Sequence, residues 1–385
     1  MKGKRFVTLF PLSYNVHLLK DVGMIPFCLY RDYGYDATLV CFKNEEAYPA
    51  LEREVKGLKL QFLPKEANYS FGKFSKHVIS YLKENAKAID ILNLYHNTKE
   101  TLLYGLVYKW FNPKGILYIK SDINIKKFDS QKAQWVHPLR LRGYGWYFKH
   151  IADIVSCELP FAQEYLQAEI PVLRDKLILV TNGLDDKAVE KAGIRPFSYQ
   201  EKENLILTVG RIGSPEKNNE YLIRAAAQAD LKDWKVVLIG PVEPAFHRWL
   251  EQFLQQHPQL QDKVVLTGNI SDRNELYGWY NRAKVFCLTS LFESFGLVFT
   301  EALYFGNYIV STEVDSIDYI TDSGRLGKTI RSEAELAQTF TDIIRGDWDI
   351  SSCYESIVAH SEKFRWIHNL KVLDERIRAL YFSQS

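Results

Sequence analysis

Glu293 and Glu301 stand eight residues apart in "LFESFGLVFTEALYFG" (291–306), around a Ser-Phe-Gly-Leu turn and among mostly apolar neighbours. Gly296 is a break signal, the run from Leu297 to Phe305 is rich in helix formers, and Gly306 stands where a helix C-terminal glycine belongs. The pattern predicts Glu293 in the loop before a helix and Glu301 one turn inside it. The amides of Ser294, Phe295, Gly296 and Leu297 then point out of the helix N-terminus. They are unpaired donors at the positive end of a dipole, which suits an anion or a sugar hydroxyl. Two carboxylates beside such donors can accept from hydroxyls, so the stretch reads as a polyol or nucleotide grip. On this stretch alone, a loop glutamate plus an exposed helix glutamate is the competing reading.

A second set of chemical groups lies upstream. "GRIGSPEKN" (210–218) supplies Arg211 and Lys217 at a predicted helix entrance. Two cations there carry the charge needed to hold a diphosphate and to stabilise it as a leaving group. A surface Arg and Lys near a turn is the plainer alternative.

The elements that must position these groups follow a regular rhythm. "ENLILTVGR", "WKVVLIGP", "KVVLTGN", "KVFCLTS" and "NYIVSTEV" read as strands, separated by helical stretches such as "NNEYLIRAAAQA" and "EPAFHRWLEQFLQQH". This is a doubly wound sheet, whose ligands bind beyond the carboxyl ends of the strands. The strand-to-helix turns at 210–218, 240–244, 268–272 and 289–296 should therefore cluster on one edge. They bring Gly210, Gly240, Asn269 and Ile270 to that edge and make Arg211, Lys217, Glu293 and Glu301 converge. The first half has the same alternation of short apolar, β-rich runs with helices (36–42, 59–64, 88–95, 115–121, 152–158 and 176–183), which argues a second parallel α/β sheet. "IRPFSYQEKEN" (194–204) reads as a linker. The expected division is 1–198, 199–365 and a C-terminal helix at 366–385, and 385 residues are too many for one ordinary core.

Composition narrows the classes. The five cysteines (Cys28, Cys41, Cys157, Cys287 and Cys353) are scattered and form no Cys-x-x-Cys pair, which speaks against a disulfide framework or zinc ribbon and for a reducing cytosol. The apolar run at the N-terminus is too short for a signal-peptide core, and no run approaches a membrane span. Charge is uneven. Residues 1–200 hold 29 Lys and Arg against 21 Asp and Glu, and residues 201–385 hold 20 against 26. A basic first half suits an anionic partner, either a membrane surface or a phosphorylated substrate.

"LTVGRIGSPEKNNEYLIRAAA" (207–227) followed by "ESFGLVFTEALYFGNYIVST" (293–312) resembles the retaining nucleotide-sugar glycosyltransferases of family 4, which have the GT-B fold. "LYHNT" (94–98) is similar to the histidine turn of their N-terminal domain, and the last helix to the one that crosses back to it. The resemblance implies two Rossmann-like domains facing a cleft. The first binds the acceptor and the second the nucleotide sugar. It implies that Arg211 and Lys217 hold the donor diphosphate and that Glu301 accepts from the ribose hydroxyls. Glu293 and the backbone of Phe295, Gly296 and Leu297 would bind the donor sugar, and His96 would lie near the reacting centre. It further implies a hexosyltransferase with no catalytic metal and no cofactor. "DWD" (347–349) looks like a metal-binding Asp-x-Asp but falls between helices and reads as a helix boundary. UDP-sugars are the favoured donors. The acceptor would be a carbohydrate, a lipid-linked or membrane-displayed glycan, or a glycoprotein, with no nucleic acid involved.

One departure concerns the loop after the first strand. The family has a Gly-Gly pair there, whereas "FPLSYNVHLLKDVGMIP" has only Gly23. Asn15, His17 and Lys20 are the candidate contacts, unless His17 and Leu18 simply enter the first helix. Residues 109–150 hold nine Lys and Arg against Asp122 and Asp129, interleaved with Trp and Tyr. They suit an anionic bilayer, giving a cytoplasmic protein peripheral on the inner face of the membrane; a solvated basic face over core aromatics is the alternative. Two other functions stay open: a nucleotide-sugar epimerase on the same fold, and a non-catalytic partner subunit of a glycosyltransferase.

Overall fold

The computed structural model describes residues 3–66, 68–121 and 138–383, with 138–142 described by backbone alone. The chain forms two compact units, one of residues 1–182 and 366–385 and one of residues 183–365. The chain thus leaves the first unit at Asn182, upstream of the expected 198/199. Residues 194–204, read as a linker from their polarity, are tied into the second unit. The Phe197 amide donates to Asn281 Oδ1 at 2.7 Å, and Asn281 Nδ2 donates to the Arg195 carbonyl at 2.8 Å.

The first unit is built on seven parallel strands in the order β3-β2-β1-β4-β5-β6-β7. They are β1 (Arg5–Leu9), β2 (Asp36–Phe42), β3 (Lys59–Leu63), β4 (Ile91–Tyr95), β5 (Ile116–Lys120), β6 (Ile154–Cys157) and β7 (Leu177–Leu179). Nearly all central positions are buried, as a sheet covered on both faces requires. Helices α1 (Asp21–Tyr33), α2 (Lys76–Asn85) and α3 (Lys99–Phe111) follow β1, β3 and β4. Phe6, Ile91, Tyr118 and Ile154 of one sheet face form a core with Ile25 and Leu29 of α1 and with Trp366, Leu370, Leu373 and Ile377 from the end of the chain. Tyr35 donates to Asp374 at 2.8 Å inside this core.

The second unit has six parallel strands in the order β10-β9-β8-β11-β12-β13. They are β8 (Glu203–Val209), β9 (Lys235–Ile239), β10 (Val264–Gly268), β11 (Ala283–Leu288), β12 (Tyr308–Thr312) and β13 (Gly327–Ile330). The order reverses between β8 and β11, the switch point at which doubly wound sheets bind ligands. Helices α4 (Asn219–Gln228), α5 (Pro244–Gln256), α6 (Arg273–Arg282) and α7 (Leu297–Tyr304) follow β8, β9, β10 and β11.

Candidate active site

The four turns at the carboxyl ends of β8 to β11 are bonded to one another. The Gly240 amide donates to the Gly268 carbonyl at 2.9 Å, Ile212 to Pro241 at 2.9 Å and Glu243 to Ile212 at 2.8 Å. On the other side, Leu291 donates to the Glu216 carbonyl at 2.8 Å, and Thr289 Oγ1 bonds the carbonyls of Lys217 and Asn218. The close approach depends on Gly240. A Cβ built there would lie 1.7 Å from the Gly210 carbonyl oxygen, at a φ of +143° that side chains rarely adopt.

At this edge Lys217 Nζ is hydrogen-bonded to Glu293 Oε1, and Ser290 Oγ donates to the same oxygen at 2.8 Å. Both members of the ion pair are largely buried. Arg211 is instead paired with Glu216 and stays mostly exposed. The expected convergence is therefore a direct contact for Lys217 and Glu293 only.

Helix α7 starts at Leu297 after Gly296, whose φ is +77°, and closes at Gly306, whose amide donates to the Leu303 carbonyl at 2.9 Å. Among the described residues, the amides of Ser294, Phe295, Gly296 and Leu297 have no protein acceptor. The Phe295 side chain is core, edge-on to Phe364, and its carbonyl accepts from Ser316 Oγ at 2.6 Å. Only its amide is left for a ligand.

Glu301 is not an exposed helix glutamate. It is 8% exposed, and its Oε1 accepts from Arg273 Nη2 at 2.7 Å. Arg273 also donates to the Tyr277 hydroxyl at 2.8 Å. Burial works most strongly against the Arg273 charge, but the Glu301 carboxylate, Tyr277 and Tyr280 together outweigh it and lift the guanidinium above its ordinary value. Burial pushes Tyr277 up to about 12, so its hydroxyl stays protonated. Sequence reasoning missed Arg273, Ser290 and Glu216. Arg273 follows the helix-capping Asp272 in a turn already expected at this edge, and that was its available signal. Asn269 is exposed beside Ile270 in the same turn and bonds Ser271 Oγ at 3.1 Å.

The first unit holds the remaining candidates. His96 follows β4 with a left-handed φ of +62°, its amide donating to the Lys120 carbonyl at 2.9 Å. It stands among Phe10, Phe71 and Tyr95, and burial lowers its pKa, so the imidazole is neutral at pH 7. Asn15 and His17 lie in a single 3-10 turn, Asn15–Leu19, that precedes α1. Asn15 Oδ1 accepts from the Ala50 amide at 3.0 Å and His17 Nδ1 from the Tyr14 amide at 2.9 Å. Both side chains thus brace the loop. Lys20 is the exposed residue that leads into α1. Gly23 is needed for packing, since its Cβ would lie 2.3 Å from the Leu18 carbonyl oxygen.

Of the basic stretch 109–150, residues 122–137 lie outside the described ones, including Lys126, Lys127 and Lys132; nothing is described of the side chains of Arg140 and Arg142. Two other members are not surface charges. Lys109 pairs with Asp153 at 2.7 Å, and Lys120 is fully buried against Glu158 at 2.5 Å. Trp110 and Trp146 are exposed. No helix among the described residues is long and apolar enough to cross a membrane, and no cluster of His, Cys, Asp and Glu there could hold a metal ion. Asp349 of "DWD" accepts from the Ser351 amide at 3.0 Å, a capping contact at a helical turn.

Residues 203–345 match the family model described as Glycosyl transferases group 1. The D-inositol 3-phosphate glycosyltransferase of Kribbella flavida is 27% identical over 195 residues, 46% of this chain and 44% of that protein. The chain spans about half the length of the curated relatives it matches. Among solved structures, Anabaena Alr3699/HepE in complex with UDP superposes with a TM-score of 0.69 at 17% identity, covering 98% of this chain and all of that one. A glycosyltransferase from Rickettsia africae superposes with a TM-score of 0.71 at 16% identity, covering 99% of each chain. The chain has the GT-B fold, and the residues that match the group 1 glycosyl transferase model lie in its second unit.

Proposed function

We propose that the chain is a family 4, retaining glycosyltransferase that moves a hexosyl group from a nucleoside diphosphate sugar to a hydroxyl acceptor. The observation that carries this reading is the bonded Lys217–Glu293 pair at the switch-point edge, beside the free amides of Gly296 and Leu297. Lys217 and Arg211 meet the negative charge of the diphosphate. That charge grows as the bond to the sugar breaks, so both cations act most strongly in the transition state. Glu293, already oriented by Lys217 and Ser290, accepts from hydroxyls of the donor sugar. Glu301 keeps its second oxygen for the ribose while Arg273 holds the first. His96, on the first unit, is proposed as a neutral hydrogen-bonding group for the transfer, and the departing phosphate takes the acceptor's proton. Charge neutralisation by Arg211 and Lys217 leaves no step that calls for a metal.

UDP-sugars are the proposed donors. UDP in the complex of Alr3699/HepE supports this choice. The proposed acceptor is a carbohydrate, a lipid-linked glycan or a glycoprotein. The proposed setting is cytoplasmic, with a peripheral contact through residues 109–150 in which Trp110 and Trp146 sit at the bilayer interface. A thermal-shift panel of UDP-, GDP-, ADP- and dTDP-sugars tests the donor, because ligands of the native state raise its apparent stability. A shift with UDP-sugars alone supports the proposal, and no shift with any of them refutes it.

A further inference from the structure

A recess of about 500 Å³ opens in the first unit between β3 and α2, lined by Lys65, Lys73, Lys76 and His77, by Glu66, and by the rings of Tyr69 and Phe74. Its charges are lopsided. The one acid, Glu66, accepts from Ser75 Oγ at 2.7 Å and from the His77 amide at 3.4 Å, so it serves the helix start. Lys65 and Lys76 form no ion pair among the described residues, and Lys73 Nζ donates only to the Asn68 carbonyl, at 2.9 Å. Lys76 also occupies the first turn of α2, where the helix dipole disfavours cations. Unneutralised like charges gathered against a dipole are a local conflict of the kind that marks functional sites.

The recess is also fixed relative to His96. In the loop that borders it, the Gly72 amide donates to Glu100 Oε1 at 2.7 Å, and the Phe71 ring lies edge-on to the His96 ring at 6.3 Å. We propose that the recess seats an oxyanion, a phosphate or carboxylate, carried by a saccharide acceptor. Lys65, Lys73 and Lys76 neutralise the anion, and Tyr69 and Phe74 cover the apolar C–H face of the sugar. The assignment rests on the transferase reading for the word acceptor, and on the recess alone for the anionic saccharide.

Calorimetric titration of the full chain with glucose 6-phosphate, glucuronate and glucose tests it, alongside a Lys65→Ser/Lys73→Ser/Lys76→Ser variant. At least one anionic sugar should bind, more weakly as salt rises, while glucose should not. The variant should bind it at least about tenfold more weakly and still bind UDP as the wild type does. Binding of neither anionic sugar, or equal binding by the variant, overturns the proposal. Sedimentation with vesicles containing phosphatidylinositol 4-phosphate separates the sources. Capture lost in the variant, without binding of either soluble anionic sugar, would make the ligand a lipid headgroup and overturn the saccharide assignment. Absence of UDP binding in both proteins would remove the donor reading and leave the recess result standing.

Discussion

Arg273, at the start of α6, holds Glu301, in α7, by a 2.7 Å bond, so the carboxylate proposed to grip the ribose is aimed by a residue 28 positions away. Arg273→Met should weaken UDP binding by about tenfold or more, the scale of one hydrogen bond to a charged group at about 1.5–3 kcal/mol. Calorimetric titration with UDP measures this. The Arg273→Met/Glu301→Gln pair should show losses well short of additive. Additive losses would mean that the two residues act independently.

Lys202 predicts a pH dependence. It is buried, and its side-chain nitrogen bonds the Asn281 and Ala283 carbonyls at 2.9 and 3.0 Å, with no carboxylate partner among the described residues. Burial lowers its pKa to about 7, against 10.5 for the free side chain. Between these values the unfolded chain binds the extra proton, so stability rises with pH across that window, and below it, where both states are protonated, this residue adds no pH dependence. Urea unfolding from pH 6.5 to 9.5 should show a steeper rise for wild type than for Lys202→Met. Parallel curves would show that Lys202 titrates normally.

Gly240 and Gly278 make a controlled pair. Gly240→Ala forces a methyl into the Gly210 carbonyl and should cost about 3 kcal/mol, with loss of nucleotide binding. Gly278 lies within α6 and faces open space, so Gly278→Ala should stabilise the fold by about 0.5–1 kcal/mol. Thermal or urea unfolding checks both. Equal small effects would remove the packing argument for the turn.

Much of this architecture was legible in apolar runs. The segment 36–42 was read as a strand, and β2 is Asp36–Phe42. The helix between Gly296 and Gly306 was legible because both glycines mark its ends. β13 was missed because Gly327–Ile330 is four residues long and contains Lys328 and Thr329, so it lacks an apolar run. Lys109 and Lys120 were counted as surface charge because a tally along the chain cannot see Asp153 and Glu158 facing them across the fold. The same blindness hid Arg273, whose partner is on another helix. Polarity at 194–204 suggested a linker, but those backbone groups are satisfied by Asn281.

Metal dependence is a separate test of the diphosphate assignment. If Arg211 and Lys217 supply the neutralising charge, UDP-sugar turnover should be unchanged by excess EDTA. Loss of activity on chelation, restored by a divalent cation, would show that the two cations do not suffice.

The most direct test of the central claim is nucleotide release from UDP-sugars by wild type, Lys217→Ala and Glu293→Ala, followed by NMR with water or a sugar as acceptor. The pair is proposed to hold the leaving diphosphate and the donor sugar, so each variant should stay folded and lose about 10²–10³ in rate, or about 3–4 kcal/mol of transition-state stabilisation. The released or transferred sugar should keep its anomeric configuration. Wild-type rates in both variants, or an inverted product, would contradict the account.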